Sequence, residues 1–216
     1  MSTSISRTST ISIIGAGGMA AAIAGRVIQA GHALEVIVRD PAKAQAFADR
    51  LGAGTAIGTY GAAPAGDIVI LAVPYSGAAA VVADFGDGLA GKVIIDITNP
   101  VAPDLSGLAS PAGSSGAQET ARGLPAGAHL VKALNTLFGP VLAKGEKLDA
   151  FMAGDDAGAK ARVATFLESL GLRPLDIGAL HMAQTLESLG LLMIGLAKNG
   201  AATFDIALHV DIGSKR

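Results

Sequence analysis

Three glycines join a β-branched apolar run to an alanine-rich segment near the start of the chain. The run covers residues 10–14, and the turn reads Gly15-Ala16-Gly17-Gly18-Met19 before a helical segment, residues 19–30. In a GxGxxA turn the first glycine makes the tight bend, and the second lets the backbone approach a pyrophosphate that the helix N-terminus favours. A glycine turn in an ordinary βα unit is the alternative, but here a second strand follows at the expected distance. The turn therefore predicts a dinucleotide site.

Two cations lie at and just after the end of the second predicted strand, residues 35–39. This place determines whether NAD or NADP binds. Arg39 ends this strand and Lys43 lies one turn into the next helix, whereas Asp40 is expected to cap that helix before Pro41. An acid at this place binds the ribose hydroxyls of NAD, and a cation binds the 2′-phosphate of NADP. The pair predicts NADP(H), and the alternative is an ordinary solvent-exposed basic pair.

Two later strands lead into prolines. Residues 67–73 run into Ala72-Val73-Pro74, and residues 92–97 are followed by Asn99 and Pro100. Proline ends a strand abruptly, and backbone at the carboxyl edge of a parallel sheet lies beside the riboses of a dinucleotide. We therefore expect the cofactor to contact Ala72, Val73, Pro74 and Asn99. Asp96 is expected to satisfy backbone groups rather than to act in catalysis.

The composition limits the classes of partner. The 216 residues are 50% hydrophobic, carry a formal net charge of −2 and include no cysteine and no tryptophan. The chain can bury a substantial core, but it has no basic excess for nucleic acid or anionic membranes and no thiolate for a metal site. Residues 1–9 are expected to be a loose tail rather than a signal peptide, and the apolar residues 189–197 are too few and too glycine-interrupted to cross a bilayer. We expect a cytoplasmic protein that binds small molecules.

Short apolar runs alternate with longer alanine-rich segments, which is typical of βαβ units. The sequence predicts an α/β fold: a Rossmann-like, doubly wound, mostly parallel sheet over residues 10–178, with a small C-terminal helical extension over residues 179–216 that contributes pocket and dimer contacts. The Pro/Gly/Ser-rich residues 101–116 predict a mobile loop over the site. Strands are predicted at 10–14, 35–39, 55–59, 67–73, 92–97, 130–134, 149–154 and 172–178, and helices at 19–30, 42–51, 76–84, 118–123, 156–170 and 181–198.

Six segments, in order, resemble the coenzyme F420-dependent NADP oxidoreductase family, which includes the reductase domains of STEAP metalloreductases. They read GAGGMA, VRDPAK, LAVPYSG, VIIDITNP, VKALNT and GLRPLDIGAL with LESLGLL. The resemblance implies that NADP(H) lies along residues 16–19, Arg39, Lys43 and residues 72–74, in a Rossmann fold that is usually dimeric. It also implies a deazaflavin partner near residues 135–139 and the C-terminal helix. Asn135 and Phe138 stand where the archaeal enzymes are expected to carry His and Pro, so the second redox partner is F420 or another acceptor such as a flavin.

Hydride transfer between two stacked rings depends on proximity and orientation more than on a strong acid or base. The segment Asn135, Thr136 and Leu137 is expected beside the nicotinamide, with Asn135 able to bond a ring edge. His181 is either a donor to a flavin carbonyl or a solvent-facing histidine at a helix start. Lys132 is expected to reach a backbone carbonyl or a surface acid rather than to act as in the hydroxyacid dehydrogenases, and Glu187 faces the pocket or a dimer partner.

The last predicted helix is apolar on nearly all sides. An apolar stripe is formed by residues at spacings of three and four: Met182, Leu186, Leu189, Met193 and Leu196. Such a helix requires burial on two sides, so we expect a homodimer through this part of the chain.

Two function classes stay open. One is an NADP(H)-dependent oxidoreductase whose acceptor is F420, a flavin or a ferric chelate, and the other is an NADPH-binding sensor without turnover.

Overall fold

Eight strands form one sheet in the order β3-β2-β1-β4-β5-β6-β7-β8. The structure, a computed structural model, describes residues 9–52 and 54–211. Neighbouring strands run parallel except β6 and β7, which pair antiparallel. The strands are β1 (Thr10–Ile14), β2 (Ala33–Ile37), β3 (Thr55–Ile57), β4 (Ile68–Leu71), β5 (Val93–Asp96), β6 (His129–Ala133), β7 (Asp149–Gly154) and β8 (Arg173–Asp176). The predicted doubly wound, mostly parallel α/β sheet is confirmed.

Helices cover both faces of the sheet. Those in the described part of the chain are α1 (Gly18–Gln29), α2 (Pro41–Leu51), α3 (Tyr75–Phe85), α4 (Gly116–Arg122), α5 (Gly139–Ala143), α6 (Ala157–Ser169) and α7 (Ala183–Lys198). Successive side chains of a strand point to opposite faces. Accordingly Ile13 and Ile70 pack with α1, α5 and α6, whereas Ile14 and Leu71 pack with α3. The central strands are thus buried on both faces, as their continuous apolar runs require.

The ends of several elements differ from the sequence prediction. β2 ends at Ile37, so Arg39 lies in the connection to α2 rather than on the strand. α4 begins at Gly116, two residues before the predicted start, because Ser115 and Gln118 form a capping box. The short helix α5 was not predicted, since five residues are too few to show a helical period. In the predicted loop 101–116, Val101 and Leu108 form an isolated bridge.

A buried arginine joins three helices on one face of the sheet. Arg26 of α1 is 4% exposed. Its guanidinium donates to the carbonyl oxygens of Leu142, Leu170 and Glu146 at 2.7, 2.9 and 2.8 Å. These carbonyls lie at the ends of α5 and α6, where backbone acceptors lack intrahelical partners. Burial lowers the pKa of Arg26, yet a guanidinium stays charged in proteins, so Arg26 fixes α1 relative to both helices.

One described segment, Leu180–Lys198, is long and apolar enough by length and composition to cross a membrane, although no such span was predicted. Length and composition alone are weak support, because a core helix of a folded protein has the same properties. The inner side of this segment carries Leu186, Glu187 and Met193, all buried. Leu192 and Leu196 are exposed on its outer side. The helix therefore packs on the sheet with one face and leaves apolar side chains on the other.

Candidate nucleotide-binding site

The glycine turn links the carboxyl ends of three strands. Gly15 has a φ of 129°, and a Cβ at this position would lie 2.2 Å from the carbonyl oxygen of Ala72. The Gly15 N–H donates to Ile37 O at 3.0 Å, and the Ala72 N–H donates to Ile14 O at 2.9 Å. Only glycine fits a backbone contact this close at this φ. The turn between β1 and α1 is therefore fixed against the ends of β2 and β4.

The other two glycines of the turn face open space. Gly17 is the N-cap of α1 and Gly18 its first residue. A Cβ at either position would meet no heavy atom within 4 Å among the described residues. The first N–H groups of a helix lack intrahelical acceptors and carry the positive end of its dipole. The turn thus presents unobstructed backbone donors, which is the arrangement that holds phosphate.

A cleft of about 580 Å³ joins this turn to α2. Its lining residues are Ala16, Lys43, Ala46, Asp49 and Arg50. The structure therefore brings Ala16 and Lys43, both predicted cofactor residues, to the same cleft. Asp40 caps α2, because its Oδ1 accepts from the N–H groups of Ala42 and Lys43 at 2.9 and 3.4 Å. As predicted, this carboxylate is occupied by the helix rather than directed to a ribose.

Arg39 lies at the same edge, and 70% of its side chain is exposed. Its Nη2 donates to the Tyr60 hydroxyl at 2.9 Å and to Asp84 Oδ2 at 2.8 Å, and the guanidinium carbon lies 5.0 Å from the Tyr60 ring centroid. The Tyr60 hydroxyl donates to the same Asp84 oxygen at 2.7 Å. Arg39, Tyr60 and Asp84, which we call the arginine triangle, therefore share one hydrogen-bonded cluster.

Two asparagines join the ends of β5 and β6 to α7. Asn99 Nδ2 donates to Asn135 O at 2.7 Å, and Asn135 Nδ2 donates both to Asn99 Oδ1 and to Leu186 O, each at 2.8 Å. A Cβ on Gly190 of α7 would lie 2.5 Å from Asn99 Oδ1, so a glycine is needed for this approach. The Asn135 amide nitrogen thus uses both of its hydrogens within the protein. Asn135 Oδ1 therefore remains as the hydrogen-bond acceptor that this side chain can present to a ligand.

Buried polar atoms without a partner gather at these strand ends. Thr98, Asn135 and Thr136 are at most 5% exposed. Thr98 Oγ1, Asn135 Oδ1 and Thr136 Oγ1 have no hydrogen-bond partner among the described residues. The backbone between them is constrained, since Leu134 has a φ of 63°, which is rare for a branched residue. Buried polar groups are nearly always paired in folded proteins, so this cluster is suited to a polar ligand.

The apolar members of the β6 connection differ in their exposure. Leu134 and Leu137 are 0% and 3% exposed and belong to the core. The Leu137 side chain packs inward, and the expected place of Leu137 beside the nicotinamide stays a prediction. Phe138 is half-buried and makes an edge-to-face contact with Phe204, with ring centroids 5.1 Å apart. Phe138 and Phe204 therefore form an apolar pair between the connection after β6 and the segment after α7.

A buried ion cluster lies under the strand ends. Lys132, Asp96 and Glu187 are each 0% exposed. Lys132 Nζ lies 3.1 Å from Glu187 Oε1 and 3.6 Å from Asp96 Oδ1, and it donates to Thr98 O. Glu187 also accepts from the N–H groups of Gly116 and Ala117 at the start of α4. Lys132 reaches a backbone carbonyl as predicted, but its acids are buried rather than on the surface. Glu187 faces the interior, where it joins α7 to α4.

The structure does not bring His181 to the crevice. His181 is exposed, in a single 3-10 turn (Leu180–Met182) before α7. This turn is held at the end of β7, where the Leu180 N–H donates to Asp155 Oδ1 at 2.8 Å. Because β7 runs antiparallel to β6, the end of β7 lies at the opposite edge of the sheet from Asn135. His181 precedes Gly190 by nine positions, or roughly 13 Å along a helix. It therefore faces solvent away from the strand ends that carry the site.

Tyr75 is a polar residue of this edge that the sequence analysis missed. It follows Pro74, and its hydroxyl donates to Glu119 Oε2. Burial, and then the hydrogen bond to Glu119, raise the pKa of Tyr75 to about 12. The phenol is therefore protonated at neutral pH and acts as a donor. Tyr60 and Asp84 were missed as well, because they lie 21 and 45 positions from Arg39 and no local spacing connects them.

Comparisons with known proteins agree with this fold. Residues 10–100 match the family described as NADP oxidoreductase, coenzyme F420-dependent. A candidate F420-dependent NADP reductase from Arthrobacter sp. FB24 has a similar structure, with 26% identity, a TM-score of 0.79, and coverage of 90% of this chain and 96% of that one. The chain belongs to this oxidoreductase family. The expected resemblance is thus confirmed. Residues 9–52 and 54–211 contain no group of three or more His, Cys, Asp or Glu side chains that could hold a metal ion.

Two further relatives define how far the likeness extends. The hypothetical protein SMa0349 from Sinorhizobium meliloti is 31% identical, with a TM-score of 0.73 over 82% of this chain and 88% of that one. The metalloreductase STEAP3 of Rattus norvegicus is 26% identical over 190 residues, which are 85% of this chain and 37% of that protein. The chain therefore spans little more than a third of this curated relative. At these levels of similarity the chain is assigned to an NADP-dependent oxidoreductase family with a Rossmann fold.

Proposed function

We propose that the chain transfers hydride between NADP(H) and a second redox cofactor bound at the carboxyl ends of β5 and β6. The observation that carries this proposal is the unpaired polar cluster of Thr98, Asn135 and Thr136 beside an open glycine turn. An amide oxygen and two hydroxyls match a carboxamide, which both donates and accepts. When bound, the nicotinamide supplies the hydride. The chain supplies binding and orientation.

The residues divide the binding of the dinucleotide among them. The backbone of residues 15–19 holds the pyrophosphate, and residues 72–74 border the riboses at the end of β4. Arg39 and Lys43 bind the 2′-phosphate from the two sides of the connection between β2 and α2. Asn135 Oδ1 accepts from the carboxamide, and Asn99 keeps the Asn135 amide in that orientation. The crevice requires no strong acid or base, because the hydride moves between two oriented rings.

F420 is the acceptor that we propose first, and a flavin or ferric chelate is the alternative. The family description and the Arthrobacter relative name F420, and STEAP3 is named a metalloreductase. The aromatic pair Phe138 and Phe204 supports a flat acceptor ring, since aromatic side chains prefer edge-to-face or offset contacts with such rings. A sensor of NADPH without turnover is the second candidate, and it requires no space for that ring.

One assay separates the two candidates. Purified protein with NADPH is assayed by absorbance with F420, FMN or FAD as the hydride acceptor. Ferric citrate is assayed with FAD present, because iron(III) takes single electrons and a flavin can receive the hydride and pass them on. F420 should give the highest kcat/KM. In the variant Phe138→Ala the acceptor KM should rise while the Kd for NADPH stays near the wild-type value. Tight NADPH binding with no oxidation by any of these acceptors would favour the sensor instead.

Arg39→Ala should remove most of the preference for NADPH over NADH. Charge-assisted hydrogen bonds to a phosphate are among the strong ones, so we expect the Kd for NADPH to rise roughly tenfold while that for NADH changes little. Fluorescence titration of both cofactors measures this. Arg162→Ala, an exposed arginine of α6, is the matched control for loss of one charge. Equal affinities of the wild-type protein for NADPH and NADH would refute the NADP(H) assignment.

We also propose that a second copy of the chain covers the outer face of α7. Leu192 and Leu196 are 54% and 40% exposed there, one turn apart. Light scattering at micromolar protein concentration should give the mass of a dimer, and Leu192→Lys with Leu196→Lys should give that of a monomer.

A further inference from the structure

The arginine triangle has one rigid member and two charged ones. Tyr60 is half-buried, and its ring packs edge-to-face on Phe85 of α3 at 5.1 Å between centroids. Arg39 and Asp84 are the exposed members, with 70% and 43% of their side chains accessible. The packed Tyr60 ring thus provides a surface against which the Arg39 guanidinium lies. Arg39 is therefore held near one position before any ligand arrives.

Arg39 keeps most of its donors free in this position. Of the five guanidinium N–H groups, those on Nη2 serve Tyr60 and Asp84, and within the described residues Nε and Nη1 donate to nothing. Each of these donors can bond a phosphate oxygen singly, whereas a bidentate contact also needs Nη2, which Tyr60 and Asp84 occupy. Lys43 lies in the first turn of α2, and the Asp40 carboxylate is occupied by backbone N–H groups. Asp84 is the acid that directly contacts the guanidinium.

Asp84 stays ionised where it lies. The hydrogen bond from Tyr60, and then the hydrogen bond and charge of Arg39, hold the pKa of Asp84 below its ordinary value. A phosphate at Arg39 therefore meets a carboxylate that already binds the same guanidinium. Two anions around one cation repel each other, and this repulsion applies to a cofactor with a 2′-phosphate but not to one with a 2′-hydroxyl.

We infer that Asp84 sets how strongly the chain prefers NADPH over NADH, by competing with the 2′-phosphate for the Arg39 guanidinium that Tyr60 supports. This inference rests on the NADP(H) site proposed above. Asp84 is then a specificity-determining residue on α3 that contacts Arg39 although it lies 45 positions further along the chain. Its charge limits the affinity for NADPH, whereas its hydrogen bonds keep Arg39 in place.

Asp84→Asn tests this competition, because the amide keeps an oxygen acceptor for Arg39 and removes the charge. We expect the Kd for NADPH to fall roughly three- to tenfold at low ionic strength, and the Kd for NADH to change little. Asp87→Asn, which removes another exposed carboxylate three positions away, should change neither value. With Arg39→Ala already present, Asp84→Asn should no longer affect NADPH binding. Fluorescence titration measures the wild-type protein and the four variants, the double variant included, and thermal unfolding checks that each is folded.

The outcomes separate this inference from the proposed function. Weaker NADPH binding by Asp84→Asn would mean that the carboxylate only positions Arg39, which would overturn the competition. An equal gain in affinity for NADH would show that overall charge explains the effect, and so would an equal gain in NADPH affinity from Asp87→Asn. Either result would overturn the inference too. If instead Arg39→Ala alone leaves NADPH binding unchanged, the proposed 2′-phosphate site is wrong, and the role of Asp84 is wrong with it.

Discussion

Lys132→Met should lower the free energy of unfolding by about 3–5 kcal/mol, the range found when one partner of a buried ion pair is removed. Lys132 and Glu187 are both 0% exposed, and their charged atoms lie 3.1 Å apart. The methionine would leave the Glu187 carboxylate in the core without a cation, next to a second buried acid, Asp96. It would also leave the carbonyl oxygen of Thr98 without its donor. Urea unfolding followed by circular dichroism measures the change.

Lys144→Met is the matched control. Lys144 also pairs with a carboxylate, that of Asp205, but 46% and 40% of the two side chains are exposed. Exposed ion pairs contribute little to stability, so this variant should unfold close to the wild type. The double variant Lys132→Met with Glu187→Gln should recover only part of the loss, because the amide can still accept from one of the N–H groups of Gly116 and Ala117. An unchanged midpoint for Lys132→Met alone would show that the pair contributes nothing.

Much of the fold could be predicted because local sequence determines it. The β-branched run before Gly15 and the helix cap at Asp40 act over a few residues, and both lie where the sequence placed them. The site glycines could be predicted for the same reason, since a turn that needs φ near 129° requires glycine whatever surrounds it. The family resemblance indicated the same residues 72–74 as the strand pattern and added residues 135–139 for the second redox partner.

The other features of the site depend on contacts between residues far apart in the sequence, which the spacing of residue types does not reveal. Leu137 is buried and Phe138 half-buried just after Leu134, whose φ of 63° no local pattern predicts. The position of His181 follows from the antiparallel pairing of β7, which puts the turn before α7 at the far edge. A signal did exist for the ion cluster: Lys132 lies in an apolar strand and Glu187 in an apolar helix, and two opposite charges in such places indicate a buried pair.

Gly15→Ala and Gly17→Ala should separate folding from cofactor binding at the same turn. At Gly15 the new Cβ would lie 2.2 Å from Ala72 O at a φ of 129°, so we expect a loss of about 3 kcal/mol or more in the free energy of unfolding and no measurable NADPH binding.

At Gly17 the Cβ meets no described atom within 4 Å, and an alanine N-cap should cost only about 1 kcal/mol or less. That methyl group would nevertheless occupy the space in front of the first helix N–H groups, where the pyrophosphate is proposed to bind, so NADPH affinity should fall tenfold or more, as a rough estimate. Thermal unfolding and fluorescence titration on both variants measure the two effects. A stable Gly17→Ala protein that binds NADPH like the wild type would place the pyrophosphate away from this turn.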